Sequence, residues 1–220
     1  MFGEIHGTLE MPRRFYDAIC AATTAGIKVN VGLEMPHQFN AQKNSDEGLY
    51  WTETTFFTQD YQDGRASVDM NSLIKAIGRL EYDGKPVSIF LFDHRGAERD
   101  RAMADTILEY TDRESVTLVL TGNLHSRTAH GAPWDENRGN MGAYIAEQWS
   151  ETRSILFTYD AGKAWLCNPD CDIKEVGGNA QSDEEFVAAS DDQFHQYHWY
   201  VGTPTESIPY RMYAEQRGRQ

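Results

Sequence analysis

The stretch Val87-Ser88-Ile89-Phe90-Leu91-Phe92-Asp93-His94-Arg95 decides the fold. It follows the break Gly84-Lys85-Pro86, runs almost wholly apolar to Phe92 and stops at a charged turn, the pattern of a strand buried on both faces. Upstream, Val68 to Leu80 sets Leu73, Ile74, Ile77 and Leu80 on one helical stripe. Downstream, Glu98 to Tyr110 aligns Met103, Ile107 and Tyr110 at helical spacing, and Val116 to Thr121 is a second apolar run of strand length. The alternation continues outward. A helix starting near Pro12, a residue suited to a first turn, runs through Phe15, Ile19 and Ala22 to the stop at Gly26, ahead of a strand at Val29 to Leu33. Met141 to Trp149 gives a further helix and Ser154 to Tyr159 a further strand. Strands separated by such helices imply right-handed crossovers, so the predicted fold class is α/β, a three-layer α/β/α arrangement with a mainly parallel central sheet. In such sheets the site lies at the C-terminal edge of the strands.

The 220 residues suit one domain over 1–220. Hydrophobic residues make up 40% and charged residues 25%, which excludes collagen-like and wholly disordered classes. The formal charge of -14 repels phosphate backbones and anionic headgroups, so no nucleic acid partner is expected. No apolar run reaches the roughly 20 residues that cross a bilayer, and no basic segment leads into an apolar one at the start. The expectation is a chain with no membrane span, unexported or already processed, in a compartment that stays open. Of the three cysteines, Cys167 and Cys171 flank the turn-prone Asn168-Pro169-Asp170, but so sparse a set favours ordinary thiols over a bridge.

Two long irregular stretches interrupt the pattern. Pro36 to Ala66 reads as a lid or, through Tyr50, Trp51, Phe56 and Phe57, as the interface of a homo-oligomer, and Ser126 to Asn140 reads as an active-site loop. At the front only Met1 and Phe2 precede Gly3-Glu4-Ile5-His6-Gly7, so the first strand is either stunted or missing residues.

The residues that end each strand are the ones to inspect. They are Glu4 and His6 after the first, Glu34 after the second, Asp93-His94-Arg95 after the third, and Gly122-Asn123-Leu124-His125 after the fourth. Imidazole and carboxylate together suit a divalent metal or general acid–base work on water. The two Gly-x-x-His matches, ending at His6 and His125, stand against about 0.6 expected by chance. Their placement at strand ends counts for more than their number, although both rings would serve equally as loop hydrogen-bond partners. A carboxylate ending an apolar strand, as Glu34 does, is costly unless paired or ligating. Arg65, Arg95 and Arg99 offer planar donors for a carboxylate or phosphate. The plainer roles are a helix-side ion pair with Glu98 or Asp100 for Arg99, and capping by Ser67 around Arg65. His130, His195 and His198 read as structural, the last two near an edge strand. No nucleophile elbow, Walker loop or dinucleotide fingerprint is present.

Five segments in order resemble the superfamily of erythromycin esterase-like, ChaN-like and Tiki/TraB-type proteins. They are Gly3-Glu4-Ile5-His6-Gly7-Thr8, Gly32-Leu33-Glu34-Met35-Pro36, Asp63-Gly64-Arg65-Ala66-Ser67, Glu98-Arg99-Asp100-Arg101-Ala102-Met103-Ala104 and Gly122-Asn123-Leu124-His125. The resemblance implies a three-layer α/β fold and three divergent functions. Tiki-type proteases would place a divalent metal on His6, His125 and Glu34. Esterase-type members would activate water with Glu4 and His6 to cleave an ester or lactone. ChaN-like members would bind haem. The expected activity is hydrolysis of a small-molecule or peptide substrate, with Glu4, His6, Glu34 and His125 handling the proton, Arg65 or Arg99 steadying the oxyanion, and His94, Arg95 and Asn123 touching substrate. A haem- or small-ligand-binding protein and a non-catalytic scaffold are the alternatives.

Overall fold

The computed structural model describes residues 1–42, 55–59, 62–180 and 187–218. Four strand–helix units build the frame. Strand β1 (Phe2–Glu4) leads to helix α1 (Glu10–Thr24), β2 (Val29–Pro36) to α2 (Thr55–Thr58) and α3 (Val68–Tyr82), β3 (Val87–Asp93) to α4 (Arg99–Glu109), and β4 (Val116–Gly122) to α5 (Met141–Gln148). Strand β5 (Ile155–Thr158) follows, then the hairpin β6 (Gly162–Cys167) and β7 (Cys171–Val176), β8 (Val187–Ala189), β9 (Tyr197–Tyr200) and α6 (Tyr210–Arg217). The main sheet runs in the order β3-β2-β4-β1-β5-β9-β8. All its pairings are parallel except β8 with β9. The fold is therefore α/β with a mostly parallel sheet, as the alternating pattern predicts, and its parallel strands share one C-terminal edge.

Strand β3 shows why so apolar a run is needed. Ile89 and Leu91 face the cluster that holds Phe15 and Ile19 of α1 and Ile74 and Ile77 of α3. Phe90 and Phe92 point the other way, into Met103 and Ile107 of α4 and Met141 and Ile145 of α5. The helices thus cover both faces in pairs. Ser67 caps α3 by accepting the Met70 N–H at 3.3 Å. No helix among the described residues is long and apolar enough to cross a membrane.

Several expectations need correction. Cys167 and Cys171 form a disulfide, because the hairpin makes them its last cross-strand pair. Register brings the thiols together whatever the cysteine count of the whole chain. The segment carrying His198 is not at the edge, since β9 lies between β5 and β8. Phe56 and Phe57 are no exposed interface anchors. Both are buried in the core, Phe57 against Tyr210 at 6.0 Å between ring centres, while Tyr50 and Trp51 lie outside the described residues. Strand β1 spans three residues yet pairs on both sides, with β4 and β5.

Candidate active site

The chain ends of β1, β2, β3 and β4 deliver one cluster of charge centred on Glu34. This carboxylate is 5% exposed, and both its oxygens are filled. Oε1 accepts from Arg99 Nη2 at 2.7 Å and from Arg65 Nη1 at 3.4 Å. Oε2 accepts from the Thr121 hydroxyl at 2.7 Å and the Gly122 N–H at 2.8 Å. Burial works against the ionised form, but the positive charges of His6, first, and Arg65 outweigh it and hold the Glu34 pKa well below its ordinary value. The cost of a buried carboxylate is met here by an almost complete set of donors.

Two imidazoles flank that centre in a similar manner. His6 Nδ1 lies 2.8 Å from Glu4 Oε1, and its Nε2 stands 3.5 Å from Glu34 Oε2. His125 Nδ1 lies 2.7 Å from Asp100 Oδ1, and its Nε2 stands 4.0 Å from Glu34 Oε1 and 3.1 Å from Arg99 Nη1. A guanidinium only donates, so His125 Nε2 accepts and the ring carries its proton on Nδ1 toward Asp100. For His6, burial opposes the charged ring, but the carboxylates of Glu34 and Glu4 outweigh it and push its pKa up to about 10. Burial dominates at Glu4 and raises its pKa despite the contact with His6. A Cβ at Gly122 would press on the His6 ring, 3.2 Å from Nε2, with Glu34 Oε2 at an ordinary 3.7 Å, so glycine there leaves the ring its room.

The arginines complete the cluster. Arg65 is held through Nε and Nη2 by Asp63 and through Nη1 by Asp93 Oδ2 at 2.7 Å. Arg99 donates from Nε to Asp93 Oδ1 at 2.8 Å and to the His94 carbonyl at 3.1 Å. It turns away from the helix-side pairing expected with Glu98 or Asp100. Ser67 caps α3 as the plainer reading has it, while Arg65 spends its donors on the chain's own Asp63, Asp93 and Glu34.

A pocket of about 560 Å³ opens over this cluster, lined by His6, Glu34, Arg65, Asp93, His94, Arg95, Arg99 and His125 on one side and by Trp165, Leu166 and Cys167 of the hairpin on the other. The hairpin is pressed onto the His6 loop. Trp165 donates its backbone N–H to the Gly7 carbonyl at 2.9 Å, and Gly7 has a φ of 75, where a Cβ would lie 2.2 Å from the Trp165 oxygen. Glu4 sits behind His6 and outside the pocket lining. Asn123 is exposed and also outside the lining, its N–H donating to the Glu4 carbonyl at 3.0 Å. No described residue of 126–140 lines the pocket; Arg138 reaches in only as far as Asp100, at 3.4 Å.

Sequence reasoning noted Asp93 at the end of the third strand but gave no site role to it, to Asp100 or to Thr121. Asp93 ends an apolar strand as Glu34 does, and the cost argument applied to Glu34 extends to it. Asp100 lies in the first turn of α4 and carries no such signal.

The donor set as arranged does not fit a divalent cation on His6, His125 and Glu34. Both Glu34 oxygens are occupied, Arg99 holds His125 Nε2, and two guanidiniums stand where the cation would bind. Among the described residues no group of three or more His, Cys, Asp or Glu is placed to hold a metal ion. Arg99 and Asp100 likewise keep both ring nitrogens of His125 from serving as an axial ligand for haem.

No protein-family model matches the chain, and no curated protein matches it. Among solved structures, a protein from Bacillus cereus aligns with a TM-score of 0.65 at 10% identity, covering 94% of this chain and 89% of its own. That likeness shows the fold alone. The type III effector HopBA1 aligns with a TM-score of 0.49 at 11% identity, covering 93% of this chain and 87% of its own.

Proposed function

We propose that this chain is a hydrolase that cleaves a small ester, lactone or peptide by activating water without a metal, with His6 as the group that moves the proton. One observation carries the reading: His6 is gripped at Nδ1 by buried Glu4, 2.8 Å away, while the ring lines the pocket. In this reading neutral His6 takes a proton at Nε2 from water as the water oxygen bonds to the substrate carbonyl. Glu4 holds the tautomer, and Glu34 and Glu4 favour the imidazolium that forms. The imidazolium then returns that proton to the leaving oxygen or nitrogen as its bond to carbon breaks. Arg99 suits the developing oxyanion better than Arg65 because, with the nitrogens of both engaged by neighbours, its side chain is the more exposed, 30% against 18%. Glu34 is too well satisfied and too strong an acid to serve as the base.

With the His6 pKa near 10, only about a thousandth of the rings are neutral at pH 7. The expected kcat/KM therefore rises close to tenfold per pH unit from 7 to 9 and levels near 10. His6→Gln lowers it by about a hundredfold or more and abolishes the rise. A chelator leaves the rate unchanged. A panel of esters, lactones and peptides assayed across that range, with metal analysis of the purified protein, checks all three. No turnover on any class refutes the hydrolase, and loss of activity on chelation refutes the metal-free route.

A further inference from the structure

The cations of the pocket wall divide sharply by their partners. His6 is matched by Glu4 and Glu34, Arg65 by Asp63, Asp93 and Glu34, and Arg99 by Glu34 and Asp93. Arg95 lines the same pocket, is exposed, and has no hydrogen bond or ion pair among the described residues.

Its backbone is anchored on the preceding side. Asp93, two residues before it, is clamped by Arg65 and Arg99. His94 accepts the Arg99 Nε–H at its carbonyl at 3.1 Å, places its ring nitrogen 2.8 Å from the Thr106 hydroxyl and stacks on His37 at 3.7 Å between ring centres. Burial and the neighbouring His37 lower the His94 pKa, which keeps that ring neutral beside the guanidinium. The base of Arg95 is thus held at the pocket wall while its planar donor set stays free.

We infer that Arg95 is a specificity-determining residue that receives an anionic oxygen group of the substrate, a carboxylate or phosphate carried beside the bond to be cleaved. The substrate class becomes a small acidic ester, lactone or amide, of a size suited to the pocket of about 560 Å³. The proposal rests on the hydrolase reading for the reacting bond and on Arg95 alone for the anion.

The test compares two p-nitrophenyl esters that differ in one group, the neutral acetate and the acidic hemisuccinate. Wild-type protein is expected to favour the hemisuccinate in kcat/KM by about tenfold, and Arg95→Gln to remove that preference. Lys85→Gln, which removes one positive charge at an exposed position outside the pocket lining, keeps it. Equal use of both esters by wild type, or a preference that survives Arg95→Gln, overturns the proposal. If neither ester turns over, binding decides the anion site, and the hydrolase reading is decided separately by the panel of esters, lactones and peptides. Succinate and inorganic phosphate are then titrated separately into isotope-labelled protein. Saturable amide shifts at residues 94–97 that vanish in Arg95→Gln support the site and tell carboxylate from phosphate; no shift with either anion overturns it.

Discussion

At the scale of residues, the histidine and the acids at the centre set the pH response of the fold itself. The His6 pKa is raised from 6.5 to about 10, so its contribution to stability is fully present below pH 6.5 and is lost as the pH climbs through 10. Glu4 acts in the same direction, because its raised pKa makes ionisation above the ordinary carboxylate range a cost to the folded state. Glu34 acts at the other end. Its lowered pKa contributes stability above about 4.5, and this is lost as the pH falls through the lowered value. Thermal melts between pH 6.5 and 10 should show the melting temperature of the wild type falling, with a shallower fall in His6→Gln; parallel slopes would remove His6 from this account. Much of this centre could be read in the sequence. Strand ends pointed to Glu4, His6, Glu34 and His125, and the structure brings them together. Asp100 could not be read, because an acid in the first turn of a helix is ordinary, and only the fold turns it toward His125.

At the scale of elements, the apolar runs at β2, β3, β4 and β5 and the helical stripes of α1, α3, α4 and α5 were legible because period and length agree in each. The hairpin β6–β7 was not. Its strands are half exposed, with Lys163, Asp172, Lys174 and Glu175 interrupting the apolar positions, so no buried run announces them. The hairpin nevertheless forms one wall of the pocket, and its disulfide closes the far end. A bridge over so short a segment restricts the unfolded chain by about 2 kcal/mol in the chain-entropy account. The double variant Cys167→Ser/Cys171→Ser is therefore expected to melt roughly 4–8 °C lower than wild type. Calorimetry under non-reducing conditions checks this, and an unchanged melting temperature would show that Trp165 and the β6–β7 ladder hold the hairpin without the bridge.

At the scale of the molecule, one side chain joins the two halves of the sheet. Phe157 on β5 is 1% exposed and meets Phe2 of β1 at 5.8 Å and Trp199 of β9 at 5.7 Å between ring centres. Phe157→Ala should cost about 3–5 kcal/mol and lower the melting temperature on the order of 10 °C. A single transition by calorimetry and circular dichroism would show the whole sheet melting together, whereas two separated transitions would show β5, β9 and β8 as a weaker annex. The placement of Glu34 bears on how such a molecule is made. Its strand pairs with β3 and β4, yet the cations that compensate it come from His6, Arg65 and Arg99, scattered before and after it in the chain. A half-built sheet that closed over this acid before those partners docked would trap an uncompensated ion, so premature burial is penalised at the very spot where chemistry is proposed. Maturation of the reactive edge and completion of the architecture become a single event, and a molecule that has finished folding has its charges already set.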